Sequence, residues 1–148
     1  MANRLNGNVT VKVVRLGLWR SSDKGKTWQR IDNDKISGRD ETGWATSADQ
    51  NTPTKMVSFS LDGLAGRTAD GVNWQSFTSL GRNWDFGSVD WAARVPKTII
   101  AAKHETNPPG EICVTTDGGL TWERLAIHLS EHRDAIPRIV YSHRLTLA

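Results

Sequence analysis

Two segments of the sequence place an arginine and acidic side chains directly ahead of a tryptophan. The first is residues 38–44, GRDETGW, and the second is residues 81–91, GRNWDFGSVDW. Paired carboxylates can act as general acid and base, a guanidinium can bind a carboxylate through two hydrogen bonds, and an indole can stack on a flat apolar face. The candidate catalytic acids are Asp40, Glu41, Asp85 and Asp90. The candidate binding residues are Arg39, Arg82, Trp44 and Trp84.

A third polar segment, residues 103–110, adds His104 and Glu105 as candidate binding residues. The competing interpretation for all three segments is that their side chains form turns and solvated charge pairs, as exposed charged loops mostly do. For metal binding, His128 and His132 are four residues apart, a spacing that ligates a metal on a helix, but their surroundings have the composition of a polar loop. We therefore expect no metal site and no cofactor.

Composition limits the classes of protein to which the chain can belong. It has 148 residues, 37% of them hydrophobic and 24% charged, without an apolar run near the roughly 20 residues of a membrane span. The formal net charge is +3, but the 19 Lys and Arg are spread among 16 Asp and Glu, whereas nucleic-acid binders usually cluster basic residues. Cys113 is the only cysteine, so no intramolecular disulfide can form. We expect a globular domain that binds neither membranes nor nucleic acid.

The first residues, MANRLNGNVTVKVVR, lack the apolar segment of a secretory signal. Two localisations fit this sequence. The protein is cytoplasmic, or it is secreted and its signal has been removed.

One pattern of turn residues and a tryptophan occurs three times. Its copies are residues 21–28 (SSDKGKTW), 68–74 (TADGVNW) and 115–122 (TTDGGLTW), with aspartates 47 residues apart in both intervals. An Asp carboxylate can accept hydrogen bonds from following backbone N–H groups, and Gly permits the positive φ of a tight turn. Each copy is therefore predicted to form a hairpin turn that its tryptophan clamps to the sheet. Six residues are structural on this interpretation: Asp23, Trp28, Asp70, Trp74, Asp117 and Trp122.

This pattern resembles the Asp-box, or BNR repeat, of sialidases, xyloglucan-degrading hydrolases and sortilin-type propellers. The first and third copies match Ser/Thr-x-Asp-x-Gly-x-Thr-Trp fully, and the second is one residue shorter between Asp70 and Trp74. The resemblance implies an all-β fold of β-propeller blades, each a four-stranded antiparallel sheet with an Asp-box hairpin. The catalytic set of a sialidase is not visible, since residues 135–139 share letters with its Arg-Ile-Pro stretch in the wrong order and Tyr141 has no assigned role.

Short strand-like segments separated by turn residues fill the intervals between the repeats. They predict strands at 9–14, 17–20, 43–48, 55–60, 64–68, 74–78, 88–93, 97–102, 111–115, 122–125 and 136–141. Grouped by repeat, these strands give a partial blade unit over residues 1–34, units over 35–80 and 81–127, and a closing inner strand within 136–148.

Three blades cannot close a propeller ring, because known rings have at least four. We expect one of two outcomes. Either two chains exchange their terminal strands and form a six-bladed homodimer, or the chain is part of a longer propeller.

The function that the resemblance implies is carbohydrate binding or processing, as in a sialidase or another glycoside hydrolase, with a carbohydrate as the ligand. Whether the chain is an enzyme stays open, because hydrolysis needs two carboxylates facing one cleft. Two alternatives remain. The chain could be a non-enzymatic propeller that binds other proteins, or a truncated fragment without independent activity.

Overall fold

The computed structural model describes residues 7–13, 16–37, 44–60, 63–92, 97–103 and 111–125. These residues contain β-strands and turns but no helix, and therefore no helix long and apolar enough to cross a membrane. The strands are β1 (Val9–Val13), β2 (Gly17–Ser21), β3 (Gln29–Arg30), β4 (Trp44–Ala48), β5 (Met56–Ser60), β6 (Gly66–Thr68), β7 (Trp74–Ser76), β8 (Phe86–Val89), β9 (Ile99–Ala102), β10 (Ile112–Thr115) and β11 (Glu123–Leu125).

The strands form three antiparallel sheets in which neighbours follow one another in chain order. The first sheet is β1-β2-β3, the second is β4-β5-β6-β7 and the third is β8-β9-β10-β11. Each sheet is thus a meander, and the chain completes one before it begins the next. The predicted all-β fold class is confirmed.

Strand register gives every sheet two distinct ends. In the third sheet Val89 pairs with Ile99, which pairs with Thr115, so the β8–β9 and β10–β11 turns lie at one end. In the second sheet Met56 pairs with both Ala48 and Thr68, which places the β4–β5 and β6–β7 turns together in the same way. The end of a sheet that contains these two turns is called its hairpin end. The opposite end, where the chain enters β4 and β8, is the entry end.

Most predicted strands in the described residues coincide with observed strands to within one or two residues, but β8 differs. It was predicted at 88–93 and lies at Phe86–Val89. The Asp90 carboxylate accepts a hydrogen bond from the Ala92 backbone N–H at 3.0 Å, which turns the chain away from the sheet after Val89. The strand predicted at 136–141 lies outside the described residues, as does the closing segment 136–148.

Two apolar cores hold the three sheets together. Leu18, Ile31 and Trp74 belong to the core between the first and second sheets, and Phe59, Phe77 and a further group of side chains form the core between the second and third. Successive side chains of a strand point to opposite faces, so Met56 enters one core and Val57 the other. All five residues of β5 are buried for this reason.

Replacing Phe77 with alanine is expected to lower the free energy of unfolding by about 3–5 kcal/mol. The Phe77 ring is buried, lies edge-on to Trp122 with centroids 5.4 Å apart, and contacts Phe59 at 6.2 Å. Urea denaturation measures the change. Leu16→Ala is the control, because that side chain is 55% exposed and its loss should cost less than about 0.5 kcal/mol. A similar small loss for Phe77→Ala would contradict a shared core at this position.

Candidate functional site

Each of the three repeats forms a hairpin turn closed by its aspartate. In the third hairpin, Asp117 accepts hydrogen bonds from the backbone N–H groups of Leu120 at 2.9 Å and Thr121 at 3.0 Å. The Thr115 hydroxyl donates to Asp117 at 2.6 Å and accepts from the Gly119 N–H at 3.0 Å. The Asp117 carboxylate and the Thr115 hydroxyl thus share the acceptance of hydrogen bonds from the backbone N–H groups of this turn.

The other two hairpins have the same arrangement with small variations. Asp23 accepts from the backbone N–H of Thr27 at 2.8 Å and from its hydroxyl at 2.6 Å. Asp70 accepts from the backbone N–H of Asn73 at 2.7 Å and from its amide nitrogen at 2.7 Å. Asn73 therefore replaces the threonine hydroxyl in the shorter second copy.

These hydrogen bonds favour the charged carboxylates. The pKa of Asp23 falls to about 2, first because of the Thr27 hydroxyl and then its backbone N–H. The pKa of Asp117 lies well below its usual range because Thr115 and Thr121 donate to it, and that of Asp70 because of the Asn73 and Val72 backbone N–H groups. Carboxylates with such low pKa values are weak general bases near neutral pH. Their contacts assign them to the turns.

The hairpin tryptophans of the second and third sheets contact the sheet that precedes them in the chain. Trp74 donates its indole N–H to the carbonyl of Ile31 at 2.5 Å, and Trp122 packs against Phe77. Trp28, in the first sheet, is 41% exposed and donates its N–H to Gly25 of its own turn at 3.1 Å. The first sheet has no preceding sheet among the described residues.

The candidate acids Asp85 and Asp90 lie at opposite ends of β8. Asp85, 2% exposed, is at the entry end, where its backbone N–H donates to Ala102 at 3.1 Å, and Asp90, 9% exposed, is at the hairpin end. At about 3.3 Å per residue their Cα atoms are about 16 Å apart. A hydrolytic pair needs roughly 5–10 Å, so the structure does not bring these two together as one.

The candidate ring of Trp84 packs in the core between the second and third sheets. It is 2% exposed, its N–H donates to the Leu80 carbonyl at 2.9 Å, and the Lys103 ammonium lies 4.9 Å from its ring centroid. This burial leaves little of the ring for a ligand. Arg82 is exposed and forms a backbone bridge to Leu64.

For the remaining candidate site residues, the structure gives a strand position or no description. Trp44 begins β4, opposite Ser60. Five candidates lie outside the described residues: Arg39, Asp40, Glu41, His104 and Glu105.

A groove of about 720 Å³ lies between the second and third sheets at their hairpin ends. Trp91 is its aromatic component. The indole packs on the core and donates its N–H to the Ser47 hydroxyl at 2.7 Å, while the Trp91 carbonyl accepts from the Lys97 ammonium at 2.7 Å. No motif in the sequence around Trp91 indicates the groove beside it.

Polar side chains surround the apolar surface of this groove. Apolar area comes from Met56, Val57, Val89, Ile99 and Leu120. Polar groups come from Lys55, Arg67, Asp70, Asn73, Gln75, Lys97 and Asp117. Arg67 is fixed, since its guanidinium donates to the Gly118 carbonyl across the two sheets. The groove therefore combines one half-buried aromatic ring with fixed hydrogen-bond donors and fixed hydrogen-bond acceptors.

A charged cluster lies at the entry end of the third sheet. Glu111 forms ion pairs with Lys103 at 3.0 Å and with Arg124 at 2.8 Å. Within the described parts of the chain, no three His, Cys, Asp or Glu side chains come together as a metal site. All four histidines lie outside those parts.

Comparisons with known proteins do not assign the chain to a family. It matches no protein-family model, and a search of curated proteins finds no match. The hairpins and the groove are therefore the observations from which a function can be argued.

Acid is expected to destabilise the fold through the three hairpin aspartates. Their folded-state pKa values lie below the unfolded value of about 3.9, so the stability they contribute is complete above that pH and is lost as the pH falls towards about 2. Urea denaturation at pH 7, 4, 3 and 2 would show this as a falling midpoint. In Asp117→Asn the fall should be shallower, and the midpoint at pH 7 should already be lower.

Asp34→Asn is the matched control at pH 7. Asp34 is exposed and pairs with the neighbouring Lys35 at the surface, so its loss should move the midpoint little. Equal midpoints for Asp117→Asn and Asp34→Asn at pH 7 would contradict a stabilising role for the hairpin carboxylate.

Proposed function

We propose that the chain is an Asp-box β-propeller module that binds carbohydrate in the groove between its second and third sheets. The observation that carries the proposal is the half-buried indole of Trp91, which lines a groove otherwise edged by amide, ammonium and carboxylate groups. A sugar ring presents an apolar C–H face and a perimeter of hydroxyl groups. The indole complements the C–H face, and the polar groups of the groove complement the hydroxyl groups.

The size and rigidity of the groove favour a small ligand. Its volume lies within the roughly 300–1,000 Å³ of ligand pockets. The Trp91 indole N–H is held by the Ser47 hydroxyl, the Trp91 carbonyl accepts from the Lys97 ammonium, and Arg67 is held by the Gly118 carbonyl. A site whose side chains are already fixed loses little conformational entropy when a ligand binds.

The propeller part of the proposal is supported by the repeats and by the sheets. Three copies of the Asp pattern, each closing the last turn of an antiparallel meander, are what an Asp-box blade requires. The order of the sheets along the chain, with an apolar core between each consecutive pair, agrees with neighbouring blades.

Binding is better supported than hydrolysis. The described candidate acids, Asp85 and Asp90, are about 16 Å apart along β8, and the carboxylates of the groove, Asp70 and Asp117, are engaged in their own turns. The groove also lies at the hairpin end, away from the entry-end loops that the sequence favoured.

Replacing Trp91 with alanine is expected to weaken sugar binding at least about tenfold, because the stacking face is removed. Isothermal titration calorimetry with neutral, uronic-acid-containing and sialic-acid-terminated oligosaccharides would identify a ligand and measure the change. Trp91→Phe keeps an aromatic face while losing the bond to Ser47, so its affinity should stay within about threefold of the unaltered chain.

Trp28→Ala is the matched control, since it removes an exposed indole that does not line the groove. Its affinity should be unchanged. Circular dichroism of each variant would show that the fold is retained. No binding of any of the three sugar classes by the folded chain, or equal weakening by Trp91→Ala and Trp28→Ala, would overturn the proposal.

A further inference from the structure

The two interfaces between consecutive sheets share one tryptophan contact. Trp74 of the second sheet bonds to Ile31, and Trp122 of the third sheet packs on Phe77. Ile31 and Phe77 occupy the same position, three residues after the tryptophan of their own hairpin. In both interfaces, therefore, an indole of the following sheet contacts a residue at the same position of the preceding one, through its N–H at Ile31 and through its ring at Phe77.

A second contact is also repeated. Arg20 of the first sheet lies against Gly71, where an added Cβ would come within 2.1 Å of the guanidinium, and Arg67 of the second sheet donates to the carbonyl of Gly118. The arginines are 47 residues apart, and so are the glycines. Each glycine directly follows a hairpin aspartate and has a positive φ, 78° at Gly71 and 74° at Gly118.

The outer faces of the first and third sheets contain the unmatched halves of this interface. The first sheet presents the Trp28 indole, 41% exposed, and the third presents Leu125, 37% exposed, at the position of Ile31 and Phe77. Trp28 is thus an indole without a preceding sheet among the described residues, and Leu125 is an apolar residue without a following one.

At these two faces the long and the short member of the Arg–Gly contact are interchanged between the sheets. The first sheet has Lys24 at the glycine position, with a positive φ of 62° that directs its Cβ as Gly71 would direct one, towards a preceding sheet. The third sheet has Val114 at the arginine position. The long side chain, Lys24, therefore belongs to the following sheet, and the shorter one, Val114, belongs to the preceding sheet. This is the reverse of the two internal interfaces. Such an exchange keeps the volume at the contact similar.

We propose that these two faces pack against each other between two copies of the chain, so that Trp28 of one copy rests on Leu125 of the other. The occupant is a second copy because its third-sheet face has Leu125 and Val114 at the positions that, in the internal interfaces, meet the hairpin tryptophan and the residue after the hairpin aspartate. With a two-fold axis, each copy uses both faces and the contact forms twice, which closes a dimer. This closure rests on the propeller arrangement proposed above, but its test does not depend on sugar binding.

Light scattering coupled to size-exclusion chromatography, over a wide concentration range, tests the dimer. The expected mass is twice the 16.4 kDa of the chain. Trp28→Ala should raise the dimer dissociation constant at least tenfold, whereas Leu16→Ala, which removes another exposed apolar side chain, should leave it unchanged. A Trp28→Ala variant that is monomeric and still binds sugar would support the dimer contact. It would also show that sugar binding, the proposed function, does not require the dimer.

A rescue experiment tests the residue pairing itself. Val114→Arg should weaken the dimer at least tenfold, because two long cations then meet at one contact. Adding Lys24→Gly should restore dimerisation, since the pair then has the Arg–Gly composition of the two internal interfaces. A monomer at all concentrations, a mass that keeps rising with concentration, or a dimer indifferent to Trp28→Ala and Val114→Arg would overturn the proposal.

Discussion

One carboxylate in each hairpin accepts backbone N–H groups of its turn, and the packing of the sheets builds on these hydrogen bonds. Asp70 and Asp117 accept the backbone N–H groups of their turns, and this fixes the path along which the chain leaves the hairpin. The tryptophan follows within five residues and consequently reaches the preceding sheet, as Trp74 reaches Ile31 and Trp122 reaches Phe77. A local turn thereby determines a contact between sheets that are about 45 residues apart in sequence.

Packing between the sheets follows from that contact and also creates the groove. The second sheet is covered on both faces, and β5 is buried throughout, whereas the outer strands β3 and β11 are exposed. At the hairpin ends of the second and third sheets, Trp91, Arg67 and Leu120 are among the residues that line the groove. The groove therefore lies where these two packed sheets meet.

Much of the fold could be predicted from the sequence because its signals are local. Asp23, Asp70 and Asp117 bond to residues two to four positions away, and a spacing of 47 residues indicates a repeated unit. The end of β8 could not be placed this way, because the bond of Asp90 to Ala92 competes with further strand pairing. Local pattern does not show which of the two outcomes has the lower free energy.

The candidate site was harder to predict because it depends on contacts between sheets. Trp84 and Trp91 both follow polar loop residues, yet one is enclosed by the core and the other lines a groove. Asp85 and Asp90 are close in sequence, but an extended strand separates them. Lys55, just before β5, and Gln75, in β7, come to the groove from segments whose sequence carries no sign of a ligand. The available sequence signal for the groove was a tryptophan just after a strand, Trp91 after β8, with a lysine, Lys97, six residues later.

The central claim, that the ring of Trp91 is where a ligand binds, is tested most directly by indole N–H resonances. The chain has seven tryptophans, so a ¹⁵N-labelled sample gives up to seven such signals, which single Trp→Phe variants would assign. A titrated oligosaccharide is expected to shift the Trp91 signal progressively, while those of Trp28 and Trp74 stay in place. A shift confined to tryptophans away from the groove, with Trp91 unmoved at saturation, would contradict this claim.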